Sequence, residues 1–267
     1  EFKAEFKSRL RGGSDVLIAD TLKVGYDKPL FEIDLDLRHG RRYAVLGENG
    51  SGKSTLLKTI AGKIPAISGE MLLGHQIEIG YFDQQLLDFS NKDTVLEEVW
   101  DDFPELDHTE VRQALAQFLF KADDVFKPIS VLSGGERVRL SLVKLMLSQD
   151  NFLILDEPTN HLDIHGKEAL EKTLVNYDGT MLFVSHDRYF IEKVATDILL
   201  IQDGKVYHSE KEIEKIIEDK KVEKVTKKEN RKEDYQYYKK LQTRQRNLEL
   251  DLEDLHVDLE AHRELRY

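Results

Sequence analysis

The sequence contains no cysteine, which excludes a disulfide framework, a zinc ribbon, an iron–sulfur centre and cysteine catalysis. It also lacks any apolar run near the roughly 18 residues that a membrane span needs. The longest candidates, Phe152 to Leu155 and Ile198 to Ile201, are strand-sized. No signal-peptide pattern is visible, and a chain without cysteine suits a reducing compartment, so the default expectation is cytoplasmic. Nor is there an excess of positive charge. Lys plus Arg number 39 against 51 Asp plus Glu, a net charge of −12, which argues against coating nucleic acid by bulk attraction. What is present is 267 residues, 40% hydrophobic and 34% charged, enough for one large domain with an appendage.

The charge is unevenly spread. Residues 209–267 hold 15 basic and 16 acidic residues, which leaves −11 of the total on residues 1–208. Inside that tail, 220–246 carries 11 basic and 4 acidic residues, whereas 247–267 carries 2 and 7. The tail is a charge dipole. It also carries a heptad seam, Tyr238, Gln245, Leu252, Leu259 and Arg266 on one position and Leu241, Leu248, Leu255 and His262 on the other, which predicts a helical hairpin or a partner helix.

Residues 1–14 end in Gly12 and Gly13 and read as the end of a linker. A strand is expected from Val16 to Val24. Phe31, Ile33, Leu35 and Leu37 alternate with polar residues, the period of a half-buried antiparallel strand. Tyr43 to Leu46 is apolar without alternation, as a buried parallel strand would be, and enters a glycine loop followed by a helix ending near Gly62. From about 88 to 148 the pattern is mostly helical, with capping signals at Thr94 and Glu97 and at Asp107 and Glu110. Strand patterns return at Phe152 to Leu155, Met181 to Val184 and Ile198 to Ile201, with helices between them. Asp203-Gly204 then predicts a hairpin into Lys205 to Tyr207. Buried strands separated by helices imply a parallel α/β sheet, and the helical stretch implies an inserted subdomain.

Three motifs carry chemistry. Gly47-Glu48-Asn49-Gly50-Ser51-Gly52-Lys53-Ser54 fits G-x-x-x-x-G-K-[ST], a chance match in about one sequence in a hundred of this length, and here it has a strand before it and a helix after it. Glycines let the backbone turn its N–H groups onto phosphate oxygens, and the helix start adds its positive dipole end. Lys53 should reach the β- and γ-phosphates and Ser54 should ligate Mg²⁺. The second motif is the apolar strand ending in Asp156 and Glu157, the first placed to hold the metal and the second to act as general base. Alone, such a pair also fits a solvated turn. In the third, Leu132-Ser133-Gly134-Gly135-Glu136, Ser133 and Glu136 form a capping box, and the Gly-Gly helix start can also hold a γ-phosphate. Spacing does not say whether that phosphate is the one at Lys53.

LSGGE upstream of the LILDEP strand, together with GENGSGKST (Gly47 to Thr55), resembles the nucleotide-binding domain of ABC ATPases. The strings EPTNHLD, ending at Asp163, and SHDRYF, starting at Ser185, narrow the resemblance to the ABC-F group, twin-cassette proteins that act on ribosomes. It covers about residues 16–208. It implies a P-loop NTPase fold of ABC type, with an antiparallel β subdomain, a parallel α/β core and a helical insert, occupying 15–208 and followed by a helical, coiled-coil-like extension over 209–267. It implies ATP and Mg²⁺ as ligands. By matching position, Tyr26 stacks on adenine, where the residue alone also reads as core or turn. Gln84 touches Mg²⁺ and the water, with Gln85 as the other register. His186 contacts the γ-phosphate, and Asp163 communicates across a dimer. Ser133, Gly134 and Gly135 complete the site of an opposite cassette.

The resemblance thus implies half of each composite site, and one copy of each motif is present. The chain starts at Glu1 and its first residues look like a linker end, so the expectation is the C-terminal cassette of a longer protein, paired with a second cassette and meeting ribosomal or transfer RNA. Residues 220–246 fit either an RNA contact or a salt-bridged hairpin. The ATP-binding subunit of a membrane transporter is the rival reading. A chromosome-organising ATPase would need a long coiled coil between its motifs, which the interval from Gln84 to Ser133 lacks.

Overall fold

The computed structural model describes residues 8, 9, 12–83, 89 and 94–209. Gln84, Gln85 and the tail from 210, with its basic stretch and heptad seam, lie outside the described residues.

Two sheets organise the chain. Strands β1 (Asp15–Gly25), β2 (Pro29–Arg38) and β4 (Ser68–Leu73) form an antiparallel sheet in the order β2-β1-β4. The inward residues of β2 are the alternating Phe31, Ile33, Leu35 and Leu37, all buried, as their period requires. The larger sheet takes β5 (Ile79–Asp83), β6 (Phe152–Asp156), β7 (Thr180–Val184), β3 (Arg42–Gly47), β8 (Asp197–Gln202) and β9 (Lys205–Ser209), in that spatial order. Its first five strands pair in parallel, whereas β9 turns back antiparallel through the Asp203-Gly204 hairpin, so the sheet is mixed.

The apolar runs of β6 and β7 are buried on both faces, and the pleat divides their side chains. Phe152, Ile154, Leu182 and Val184 join the core under the antiparallel sheet and α1 (Lys53–Ile60). Leu153, Leu155, Met181 and Phe183 join a second core with the helices α2 (Val95–Asp102), α3 (His108–Gln117), α4 (Gly134–Ser148), α5 (Ile164–Val175) and α6 (Arg188–Val194). One sheet is therefore sandwiched between two layers. Among the described residues no helix is long and apolar enough to cross a membrane.

The capping signals produce helix starts. Asp107 with Glu110 and Ser133 with Glu136 form complete boxes at α3 and α4. At α2 the box is half made, because the Glu97 carboxylate accepts from the Thr94 hydroxyl rather than from its backbone N–H. The segment expected to be a linker end makes two hydrogen bonds to exposed residues of the α/β body: the Ser8 N–H donates to Asp178 at 2.9 Å and the Arg9 N–H to the Gln149 carbonyl at 2.7 Å.

Candidate functional site

Parallel strands β5, β6, β7 and β3 end side by side, and ligands of α/β sheets bind outside that carboxyl edge. Each contributes a group named by the sequence or next to one. β3 ends in Gly47, β6 in Asp156 with Glu157 following, β7 runs into Ser185 and His186, and β5 ends in Asp83 one residue before Gln84.

The loop after β3 has the backbone that its glycines permit. Gly50 and Gly52 have φ of +79° and +95°, and a Cβ on Gly52 would lie 2.8 Å from the Phe31 ring. Ser51 closes the turn by donating its N–H to the Glu48 carbonyl at 3.1 Å. The first backbone bond of α1 runs from Leu56 to Gly52 at 2.9 Å, which leaves Lys53, Ser54 and Thr55 as first-turn donors of the helix. Glu48, Asn49 and Gly50 are exposed. The Lys53 ammonium donates to the Gly47 and Glu48 carbonyls, both at 3.0 Å, and burial lowers its pKa against the opposing pull of Glu157 and Asp156.

Ser54 Oγ donates to Asp156 Oδ1 at 3.1 Å, so the two expected metal-holding groups are adjacent. Burial pushes the Asp156 carboxyl above its ordinary range, opposed by the Ser54 bond and reinforced by the charge of Asp83. Glu157 sits at φ +53°, a left-handed conformation costing about 1–2 kcal/mol for a residue with a side chain, and its N–H is tied to the Val184 carbonyl at 3.0 Å. Its Oε2 accepts from the His186 N–H at 3.2 Å, and its Oε1 is 3.3 Å from His186 Nε2. Oε1 is buried and has no hydrogen-bond partner among the described residues. Burial raises the Glu157 pKa, opposed by His186.

The donor set fits a nucleoside triphosphate with a divalent cation. A cradle of positive-φ glycines, an ammonium, a helix start and a hydroxyl–carboxylate pair converge on it, and two buried oxygens, Ser51 Oγ and Glu157 Oε1, have no hydrogen-bond partner among the described residues.

The other expected residues are placed as follows. Tyr26 follows β1 with 64% of its surface exposed, which removes the core reading. Ser133, Gly134 and Gly135 open α4. Among the described residues no hydrogen bond or ion pair joins them to the glycine loop, and a Cβ on Gly134 would meet nothing within 4 Å. Asp163 caps α5 by accepting from the Gly166 N–H at 2.7 Å. Sequence reasoning missed Asp83, which is buried, pairs in register with Asp156 and binds Lys58 at 3.2 Å. It also missed the buried hydroxyl pair Thr159–Ser185, 2.9 Å apart. The signal for Asp83 was its place at the end of an apolar stretch just before Gln84.

A family model described as ABC transporter matches residues 30–160, from β2 through the glycine loop and the Ser133 turn to Glu157. YdiF of Bacillus subtilis is 44% identical over 217 residues, covering 77% of this chain and 34% of the relative. This chain carries an ABC-family ATP-binding cassette related to the ABC-F ATPases. ABC transporter F family member 5 of Arabidopsis thaliana resembles the cassette at 40% identity over 208 residues, 76% of this chain and 30% of that one. Among solved structures, the dimeric ATP-binding cassette MJ0796, in a post-hydrolysis state with ADP and Pi, shares the fold at a TM-score of 0.61 and 19% identity, covering 73% of this chain and 98% of that one. The cassette spans about a third of the length of the curated relatives named here.

Proposed function

We infer that the cassette hydrolyses ATP with Mg²⁺ in a site completed by a second cassette, and that the whole protein acts on the ribosome. The observation that carries the hydrolytic reading is the meeting of Lys53, the Ser54–Asp156 pair and the Glu157–His186 pair at one sheet edge. Lys53 and the N–H groups that open α1 hold the β- and γ-phosphates. Ser54 and Asp156, with Gln84, hold Mg²⁺, which when bound neutralises charge on the phosphate oxygens. Glu157, its pKa raised by burial, takes the proton of the attacking water at Oε1, the oxygen that accepts no hydrogen bond here. His186 steadies that carboxylate and contacts the γ-phosphate. The exposed Tyr26 ring stacks on adenine.

The open space over Gly134 favours a site built from two cassettes. The capping box uses the Ser133 side chain within its own turn and leaves that glycine clear for a phosphate held by another copy. Asp163 is exposed at the start of α5, and in this reading it contacts the same second cassette. The ribosomal role rests on the ABC-F relationship, and with −11 on residues 1–208 any RNA contact falls to local patches such as 220–246.

Turnover measured against protein concentration tests the composite site: the specific activity should rise with concentration, and rapid turnover by a verified monomer, independent of concentration, overturns it. For the partner, the full-length protein carrying Glu157→Gln should cosediment with ribosomes in ATP. Copurification with a membrane subunit instead supports the transporter reading.

A further inference from the structure

Helices α5 and α6 are clamped together by two ion pairs of opposite polarity. Near their starts, Lys167 Nζ on α5 is 2.7 Å from Asp187 Oδ2, the residue that caps α6. One turn further along α5, Glu171 Oε2 is 2.7 Å from Lys193 Nζ near the end of α6, and Glu171 is buried. The pairs look alike, but only the first touches the turn that carries His186.

Asp187 has three tasks. Its Oδ1 accepts from the Phe190 N–H at 3.2 Å, its Oδ2 binds Lys167, and its own N–H donates to Ser185 Oγ at 3.1 Å. His186 lies between the two residues joined by that last bond, and its N–H and Nε2 both face Glu157. On the far side, Ser185 Oγ meets Thr159 Oγ1, and the turn from Glu157 is closed by the Asn160 N–H bonded to the Glu157 carbonyl at 3.2 Å. The chain then reaches Asp163 and enters α5. A closed circuit runs from Glu157 through Thr159 and Asp163 along α5 to Lys167, across to Asp187, and back through His186 to Glu157. Lys167 pulls the Asp187 carboxyl below its ordinary range.

We propose that Lys167 is a positioning residue for hydrolysis: through Asp187 it fixes the His186 turn against Glu157 and makes that turn move with the helix that starts at Asp163. This rests on the reading of Glu157 and His186 given above. A general base displaced by about 1 Å loses on the order of 100-fold in rate, so a loosened His186 turn lowers turnover far more than it weakens nucleotide binding, to which the glycine loop and the Tyr26 ring contribute without it.

The test compares Lys167→Met, Lys167→Arg and Lys193→Met in ATP turnover at one protein concentration, with the ring resonances of His186 followed by NMR. Lys167→Met should lower kcat about 10- to 100-fold with KM for ATP within about threefold. Lys167→Arg should recover most of the loss, and Lys193→Met should keep kcat even where it costs equal thermal stability. The His186 ring signals should move in Lys167→Met and stay in place in Lys193→Met. Equal falls in kcat for both methionine variants at equal loss of stability, or unmoved His186 signals in Lys167→Met, overturn the proposal. Absence of turnover in the wild type at a concentration where it is shown to dimerise counts against the hydrolytic reading instead, and the NMR comparison still decides the positioning.

Discussion

Glu157 and His186 meet twice across the ends of β6 and β7, through the His186 N–H on Oε2 at 3.2 Å and through Nε2 at 3.3 Å from Oε1. The pairing is built by backbone: the left-handed turn at Glu157 aims the carboxylate toward β7, and the Glu157 N–H on the Val184 carbonyl sets the spacing. A half-buried carboxylate beside a second one at Asp156 carries a cost in stability, and the proposed role of Glu157 as general base makes that cost functional. Glu157→Gln should therefore reduce ATP turnover at least about 100-fold while leaving nucleotide binding intact, and raise the midpoint of thermal unfolding at neutral pH by a few degrees, at about 2–4 °C per kcal/mol for a chain of this size. A wild-type rate in that variant removes Glu157 as the base, and an unchanged or lowered midpoint rejects the claimed cost of its charge.

Gly52 couples the glycine loop to the antiparallel sheet. At φ +95°, with the Phe31 ring where a Cβ would go, Gly52→Ala strains the backbone and collides with the core of β2. A loss of about 1–3 kcal/mol is expected from left-handed strain and overpacking, together with weaker ATP binding. Urea unfolding and equilibrium titration with a fluorescent ATP analogue measure the two. Wild-type values in both would mean the loop tolerates a side chain there.

Much of this site was legible because its signals are local. The glycine loop, the carboxylates after Phe152 to Leu155 and the capping boxes at Asp107 and Ser133 each lie within a few consecutive residues, where backbone geometry leaves its mark on composition. β4 was missed because it is an edge strand with almost every residue exposed, so no period-two pattern forms. β5 was missed because Gly80 interrupts it, and a Cβ there would come within 2.9 Å of both Leu145 and Leu153. Asp83 beside Asp156 and Lys167 beside Asp187 join residues far apart in the chain. Their chemistry belongs to the tertiary fold.

The α4 capping box gives a pH dependence. Glu136 is held below the ordinary carboxylate range, first by the Ser133 N–H at 2.9 Å, then by the Ser133 hydroxyl and Lys127. An acid with a depressed folded pKa contributes stability that is present above its unfolded value of about 4.3 and is lost as pH falls through the folded one. Wild type should thus be more stable than Glu136→Gln near pH 6, with the gap closing below about pH 4. Paired urea titrations show it, and a gap that stays constant with pH would assign the box to neutral hydrogen bonding.

The buried Thr159–Ser185 pair offers the sharpest energetic test. Both hydroxyls are almost fully buried, 2.9 Å apart, and Ser185 Oγ also accepts the Asp187 N–H. Removing one partner leaves the other hydroxyl buried without it, a penalty of about 1–3 kcal/mol, whereas removing both avoids that orphan. Ser185→Ala should cost more than Thr159→Val, because it also strips the acceptor from Asp187 and loosens the turn that carries His186. The double variant should be more stable than the sum of the single losses allows, with a coupling of about 0.5–3 kcal/mol. Unfolding free energies for the four proteins close the cycle. Strict additivity would mean that the two strand ends are held independently, and that β6 passes no constraint to β7 through these side chains.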